Sequence, residues 1–197
     1  MAKLIRLKFN DPAPDVAVQT ADGNAIQLAS LWKNKTVLIA FARHYGCLNC
    51  QEMLSQLMNA RQAIERAGLH LVVVTQGTTA ETKTFCADHA PHATCLADPK
   101  RESYRAFGLA RGNAWQVFMA PQIWFDAWRS LRRGHRASQP PQGQSLTQLS
   151  GIFIVGTDGK IRLPYYYDTL GDHPPVEILL RGVLGTSWDK PLDAPLA

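Results

Sequence analysis

The sequence predicts an α/β fold, a mixed central sheet with helices on both faces, and three observations carry that prediction. Thr36-Val-Leu-Ile-Ala-Phe-Ala42 is a continuous apolar run of strand length, residues 48–67 switch to helical periodicity, and Leu69–Thr75 is again an apolar run. Uninterrupted apolar runs of this length suit strands covered on both faces. Strand, helix and strand in that order leave no room for an antiparallel return, so the two strands are expected to be parallel with a right-handed crossover.

The other elements follow in chain order. Pro12 and Pro14 end a first extended stretch, and Val16–Thr20 and Ala25–Leu28 flank the turn Ala21-Asp22-Gly23-Asn24 as an N-terminal hairpin. In the helix expected over 48–67, Met53, Leu54, Leu57, Met58, Ile64 and Ala67 share one face, and Gly68 stands at its C-cap. Ala80–His89 and Arg101–Phe107 read as shorter helices around a third strand, Ala93–Ala97. Gly151–Val155 and Lys160–Tyr166 form a hairpin around Thr157-Asp158-Gly159. A last helix begins near Pro174-Pro175, with Asp172 as its N-cap and His173 in the capping turn, and ends near Gly185.

The chain of 197 residues is 46% hydrophobic and 19% charged, which excludes a disordered chain and suits a single domain over 1–197 with an insertion at about 112–150. No apolar run approaches the ~20 residues that span a bilayer, so no membrane span is expected. The N-terminal charges interleave with apolar residues and precede no signal-peptide apolar core. A cytoplasmic location is therefore expected, where cysteine pairs are more often catalytic or metal-binding than structural. The formal charge is +5, and residues 112–150 contribute +3 of it through four Arg against Asp126.

Cys47-Leu48-Asn49-Cys50 falls where the central strand hands over to the long helix. There the first thiol meets unpaired backbone N–H groups at the positive end of the helix dipole, which favours thiolate over thiol. The second thiol falls within disulfide reach in the first helical turn. Reactive groups in such sheets gather at the carboxyl ends of the parallel strands, which brings Thr75-Gln76-Gly77 and Asp98 to the same end. Arg43, His44 and Tyr45 share the loop before Cys47, and a nearby cation would depress a thiol pKa further. A CxxC in this setting points to redox chemistry ahead of half a zinc site or an inert pair.

These residues resemble the thioredoxin-like redoxins, and more closely the peroxiredoxin-like branch of the alkyl hydroperoxide reductase/thiol-specific antioxidant type. The resemblance runs through Asp11-Pro-Ala-Pro-Asp15, Asp22-Gly23, Ile26–Leu31, Val37–Phe41 and the Arg-x-x-Gly-Cys-x-x-Cys pattern of Arg43–Cys50. It continues through Asp98–Leu109, Gly151–Val155, Asp158-Gly159 and Gly171–Pro174. It implies a thioredoxin-like fold over nearly the whole chain outside 112–150, and an oxidoreductase that binds no cofactor and is recycled by an external dithiol of the thioredoxin or glutathione type. It implies as substrate a small-molecule peroxide (hydrogen peroxide, an organic hydroperoxide or an endoperoxide) or a protein disulfide, and leaves a homodimer open.

The sequence departs from that family's Pro-x-x-x-Thr-x-x-Cys loop. Matching the loop puts Arg43 at the Pro, Cys47 at the Thr, Cys50 at the peroxidatic Cys and Ser150 at the Arg before the late strand, so the usual peroxide-orienting groups are absent or rebuilt from Arg43. Ser150 and Gly151 also stand where thioredoxins carry a cis-Pro. Thioredoxin logic makes Cys47 the nucleophile with Cys50 resolving, whereas peroxiredoxin logic makes Cys50 the attacker. The first is preferred because the leading thiol of such a pair is usually the accessible one.

Three features remain. Cys86 and Cys95 lack the short spacing of a zinc knuckle and read as small buried apolar residues on a helix and a strand, the alternative being a resolving role for Cys86; no metal is expected. Pro121–Arg136 reads as a basic amphipathic helix with Trp124, Trp128 and Leu131 on one face. The plainest expectation is that this face packs on the domain. It could instead meet an anionic membrane or a partner, or form a lid whose Arg129, Arg132 and Arg133 select an acidic substrate. No nucleic-acid module is recognisable. The competing functional class is a non-catalytic redoxin-fold module that senses redox state or binds a partner through the Arg/Trp insertion.

Overall fold

The computed structural model describes residues 5–112, 128, 131–132, 134, 138–139, 141–168, 172–181 and 188. It holds a seven-stranded sheet flanked by helices, a thioredoxin-like arrangement. The strands are β1 (Ala17–Thr20), β2 (Ala25–Gln27), β3 (Thr36–Phe41), β4 (Leu69–Thr75), β5 (Thr94–Ala97), β6 (Gly151–Val155) and β7 (Ile161–Tyr166). Their order is β2-β1-β5-β4-β3-β6-β7. The expected parallel core is present: β4 lies parallel to both β3 and β5, with Ala40 opposite Val73 and Val74 opposite Leu96. The N-terminal hairpin adds antiparallel to β5, and the β6–β7 hairpin adds antiparallel to β3.

The helices are α1 (Ala29–Trp32), α2 (Leu48–Asn59), α3 (Arg61–Arg66), α4 (Thr79–His89), α5 (Glu102–Ala106) and α6 (Val176–Arg181). Alternation along β3 divides the core. Leu38 and Ala40 join Met53, Leu54, Leu57 and Ile64 from α2 and α3 on one face, while Val37, Ile39 and Phe41 join Tyr104, Phe107 and Trp32 on the other. Every residue of β3 is buried, as the unbroken apolar run requires.

Several expectations need correction. The helix expected over 48–67 is two helices: the chain leaves helical geometry at Ala60 (φ −90°, ψ 5°), and α3 turns to bury Ile64 beneath β4. Asp172 does not cap α6; its carboxylate accepts from the Tyr165 hydroxyl at 2.8 Å and from the Asp168 N–H at 3.1 Å, and His173 lies against the Tyr167 ring, 5.2 Å between centroids. Cys86 on α4 and Cys95 in β5 are buried as expected, but they are joined in a disulfide, because α4 lies back over the strand that follows it and brings the two sulfurs together. That bond removes both from any zinc set. Of the expected helix over 121–136, most residues lie outside those described. Trp128 and Leu131 are 52% and 53% exposed, so this part of the apolar face is not packed on the domain. Trp128 instead takes the Arg132 guanidinium over its ring at 4.6 Å. Arg129 and Arg133 lie outside the described residues.

Among the described residues no helix is long and apolar enough to cross a membrane, and no group of three or more His, Cys, Asp or Glu side chains is placed to hold a metal ion.

Candidate active site

The carboxyl ends of β3, β4 and β5 converge on one cluster. After β3 the chain runs through Arg43–Gly46 to Cys47, which occupies the N-cap of α2 in extended geometry (φ −82°, ψ 111°). Cys50 follows one helical turn on, and both thiols are free. They are 5% and 2% exposed, so exposure does not single out Cys47.

Charge and hydrogen bonding do. Arg43 reaches both sulfurs: its guanidinium Nη1 donates to Cys47 Sγ at 3.3 Å, and its backbone N–H donates to Cys50 Sγ at 3.3 Å. A hydrogen bond from the Cys50 thiol, joined by the Arg43 charge and the Cys50 backbone N–H, outweighs burial and brings the Cys47 pKa down from 9.0 to about 6. The same bond to Cys47, then burial and repulsion by a Cys47 thiolate, push Cys50 well above the ordinary thiol range. One sulfur therefore holds the charge and the other the proton. Ser150 Oγ stands 4.0 Å from Cys50 Sγ.

A buried guanidinium requires acceptors, and the segment after the insertion supplies them. Arg43 Nε donates to the Gln148 carbonyl at 2.8 Å, and Nη2 donates to the Leu146 carbonyl. Gln148 is itself fixed, its side-chain amide donating to the carbonyls of Leu109 and Ala110 at 3.2 and 3.1 Å. Gln76, 2% exposed, ties the layers together. Its amide donates to the Arg43 carbonyl at 2.5 Å, and its carbonyl accepts from the Ser145 N–H at 2.9 Å and from Arg101 at 3.4 Å. Residues 143–149 thus form a strap across the dithiol loop. A separate close approach is made at Gly46, where a Cβ would collide with the Ser138 backbone.

Tyr45 braces the other side. Its hydroxyl donates to Thr75 Oγ1 at 3.0 Å and lies 3.0 Å from Thr82 Oγ1, its N–H donates to the Gln144 side chain at 3.1 Å, and its ring stacks on Phe85 with 4.4 Å between centroids. Gly77 leaves the space that this hydroxyl fills. Behind the loop, the buried Tyr104 hydroxyl bridges the carbonyls of Ala42 and Val74 at 2.6 and 3.0 Å. Asp98 caps α5, accepting from Ser103 Oγ at 2.5 Å and from the Glu102 N–H at 3.0 Å.

Of the residues singled out from the sequence, Arg43, Cys47, Cys50 and Ser150 are brought together around the sulfurs. Thr75 serves Tyr45 instead of a thiol, and Gly151 lies in the sheet opposite Phe41 and Tyr166. His44 is 7% exposed; burial and the Arg43 charge lower its pKa to about 4, so it is neutral at pH 7. Its Nδ1 has no hydrogen-bond partner among the described residues. Arg132 is exposed beside Trp128. Sequence reasoning placed Gln76 at this end of the sheet without giving it a role, and missed Gln148 and the carbonyls of the strap. Gln76 immediately after a buried strand was the one available signal, whereas backbone acceptors contributed from 105 residues away left none.

A pair of vicinal thiols at a helix N-terminus, one charged and one protonated, on a thioredoxin-like sheet defines a dithiol redoxin. Residues 56–169 match the AhpC/TSA antioxidant enzyme family; the chain belongs to that family and, with it, to the thiol-dependent oxidoreductases. Among its relatives are the thioredoxin-like protein AAED1, chloroplastic, of Arabidopsis thaliana, 28% identical over 179 residues that cover 87% of this chain and 71% of the relative. The prostamide/prostaglandin F synthase of Salmo salar is 28% identical over 187 residues, covering 93% and 90%. The crystal structure of a peroxiredoxin-like protein from Aquifex aeolicus shares the fold with a TM-score of 0.63 at 16% identity, over 89% of this chain and 85% of that one.

Proposed function

We propose that the protein reduces a small peroxide through a Cys47/Cys50 dithiol–disulfide cycle. The observation that carries this reading is the division of charge within the pair, a Cys47 thiolate held by Arg43 and by the Cys50 thiol. In the first step the Cys47 sulfur attacks one peroxide oxygen, the O–O bond breaks, Cys47 becomes a sulfenic acid, and the second oxygen leaves as an alcohol or water after taking up a proton. That step removes the partner of the Cys50 hydrogen bond and the repelling negative charge, which are among the causes of the raised Cys50 pKa. Cys50 then loses its proton more readily and attacks the sulfenic sulfur, forming the Cys47–Cys50 disulfide and releasing water. An external dithiol restores both thiols by two exchange steps. The cycle makes the attacking and resolving sulfurs chemically distinct before any substrate arrives.

Burial of Cys47, 5% exposed, favours a peroxide over a protein disulfide, which needs a broader approach. Peroxide consumption with a dithiothreitol or thioredoxin donor tests the reading, with hydrogen peroxide and an organic hydroperoxide run side by side against insulin disulfide. Turnover should fall by about a thousandfold or more in Cys47→Ser, as expected when a nucleophile is removed, and Cys50→Ser should accumulate a dimedone-reactive sulfenic acid on Cys47. Facile insulin reduction with no peroxide consumption would move the activity to disulfides, and inactivity on all three would leave a non-catalytic module. A reducing compartment such as the cytoplasm is the proposed setting for the donor.

A further inference from the structure

The second cysteine pair lies away from the dithiol loop, and nothing in the cycle above uses it. Cys86 and Cys95 form the covalent link between the last turn of α4 and β5. Both residues line a groove of about 500 Å³ on the protein surface. Its walls are low: Ala21, Ala87, Ala90 and Ala93 line it, together with the Lys83–Asp22 ion pair, 2.8 Å long and 68% and 70% exposed. The bond is thus covered to 6% and 8% exposure at its two residues while bordering open space on one side.

The element it holds has few other anchors at that end. A capping box between Thr78 and Glu81 secures the start of α4, and the buried residues of the helix are Thr82, Phe85 and Cys86. Beyond Phe85, the disulfide and the Ala90 N–H bond to the Cys86 carbonyl at 2.8 Å fasten the helix end. A helix end with little buried apolar surface opens locally at small cost unless it is cross-linked.

We propose that Cys86–Cys95 is a second thiol–disulfide exchange site, addressed through this groove by a small dithiol reductant, and that its reduction releases the C-terminal half of α4 from β5. The reductant's thiolate attacks one of the two sulfurs, breaking the S–S bond and forming a mixed disulfide. Its second thiolate displaces the protein sulfur, the reductant departs as its own cyclic disulfide, and Cys86 and Cys95 have gained two electrons and two protons. The proposal does not depend on the peroxide reading, and its test leaves Cys47 out.

The full chain carrying Cys47→Ser and Cys50→Ser is equilibrated, folded and without denaturant, in buffers of reduced and oxidised dithiothreitol, then alkylated and mapped. Cys86 and Cys95 should pass together and reversibly from unlabelled to labelled. Amide exchange over Thr79–His89 should accelerate about tenfold or more on reduction while β3 and β4 stay protected. Labelling only after urea unfolding, free thiols in the oxidised protein, or reduction with no change in α4 exchange would each overturn the proposal. If the double serine variant does not fold, the same peptides are read in the wild-type chain, where Cys47 and Cys50 report separately.

Discussion

The two cysteine pairs are buried to nearly the same depth and differ in almost everything else. Cys47 and Cys50 sit one turn apart at a helix N-terminus, share a guanidinium, and hold one charge and one proton between them. Cys86 and Cys95 come from different elements, face small side chains, and are bonded to each other. Burial alone would raise the pKa of either free thiol. What sets the charged thiol apart from the cross-linked pair is the hydrogen bond from Cys50 joined by one arginine, whose own burial is supported by the carbonyls of Leu146 and Gln148. Depth of burial is therefore a poor guide to thiol chemistry in this fold, and the donors pointing at each sulfur are a good one.

Five experiments test that contrast. The largest expected effect is on stability: replacing both Cys86 and Cys95 by Ser should cost about 2–3 kcal/mol in urea unfolding under oxidising conditions, the scale for removing a short-loop disulfide, and nothing comparable under reducing ones. Arg43→Met comes next. Without the cation and its hydrogen bond the Cys47 pKa should move up from about 6, leaving less thiolate at pH 6 and slowing iodoacetamide alkylation about 5–50-fold, the range for one to two pKa units at a pH where the wild-type thiol is half ionised. In the wild type the alkylation rate should be half-maximal near pH 6 and fall below it, because the reactive species is the thiolate; a midpoint near 8.5 would dissolve the contrast between the pairs.

His44 gives a smaller and oppositely readable effect. Its folded pKa of about 4 lies below its ordinary 6.5, so the unfolded chain binds the proton more tightly and stability is lost as pH falls from about 6.5 toward 4. The loss attributable to this side chain should reach about 2 kcal/mol at about pH 5, seen as a shallower acid slope in the unfolding free energy of His44→Gln. Smallest of all is Trp128→Ala: an exposed ring whose stated contact is with exposed Arg132 should change the melting free energy by less than about 0.5 kcal/mol and leave Cys47 alkylation unchanged.

Much of this was legible in the residues themselves. The apolar runs at 36–42 and 69–75 announced the parallel strands, Asp158-Gly159 announced the hairpin, and the position of Cys47 between strand and helix announced the dithiol. What escaped was long-range. The break at Ala60 has neither Gly nor Pro to mark it, only Asn59, a weak helix former, and it lets Ile64 reach the core. The Cys86–Cys95 bond depends on α4 folding back over β5, which spacing alone does not reveal. The reason to favour Cys47 also changed: both thiols are buried, and it is the proton shared with Cys50 and the Arg43 cation that distinguish them.

Arg43 donates its outer hydrogen bonds to the carbonyls of Leu146 and Gln148, while the Leu146 side chain is 45% exposed. Every amino acid offers the same carbonyl. Position 146 is accordingly free to vary in size and polarity without altering the acidity of Cys47, so the rim facing an incoming molecule and the power of the nucleophile beneath it can be tuned separately, whether by natural drift or by an engineer.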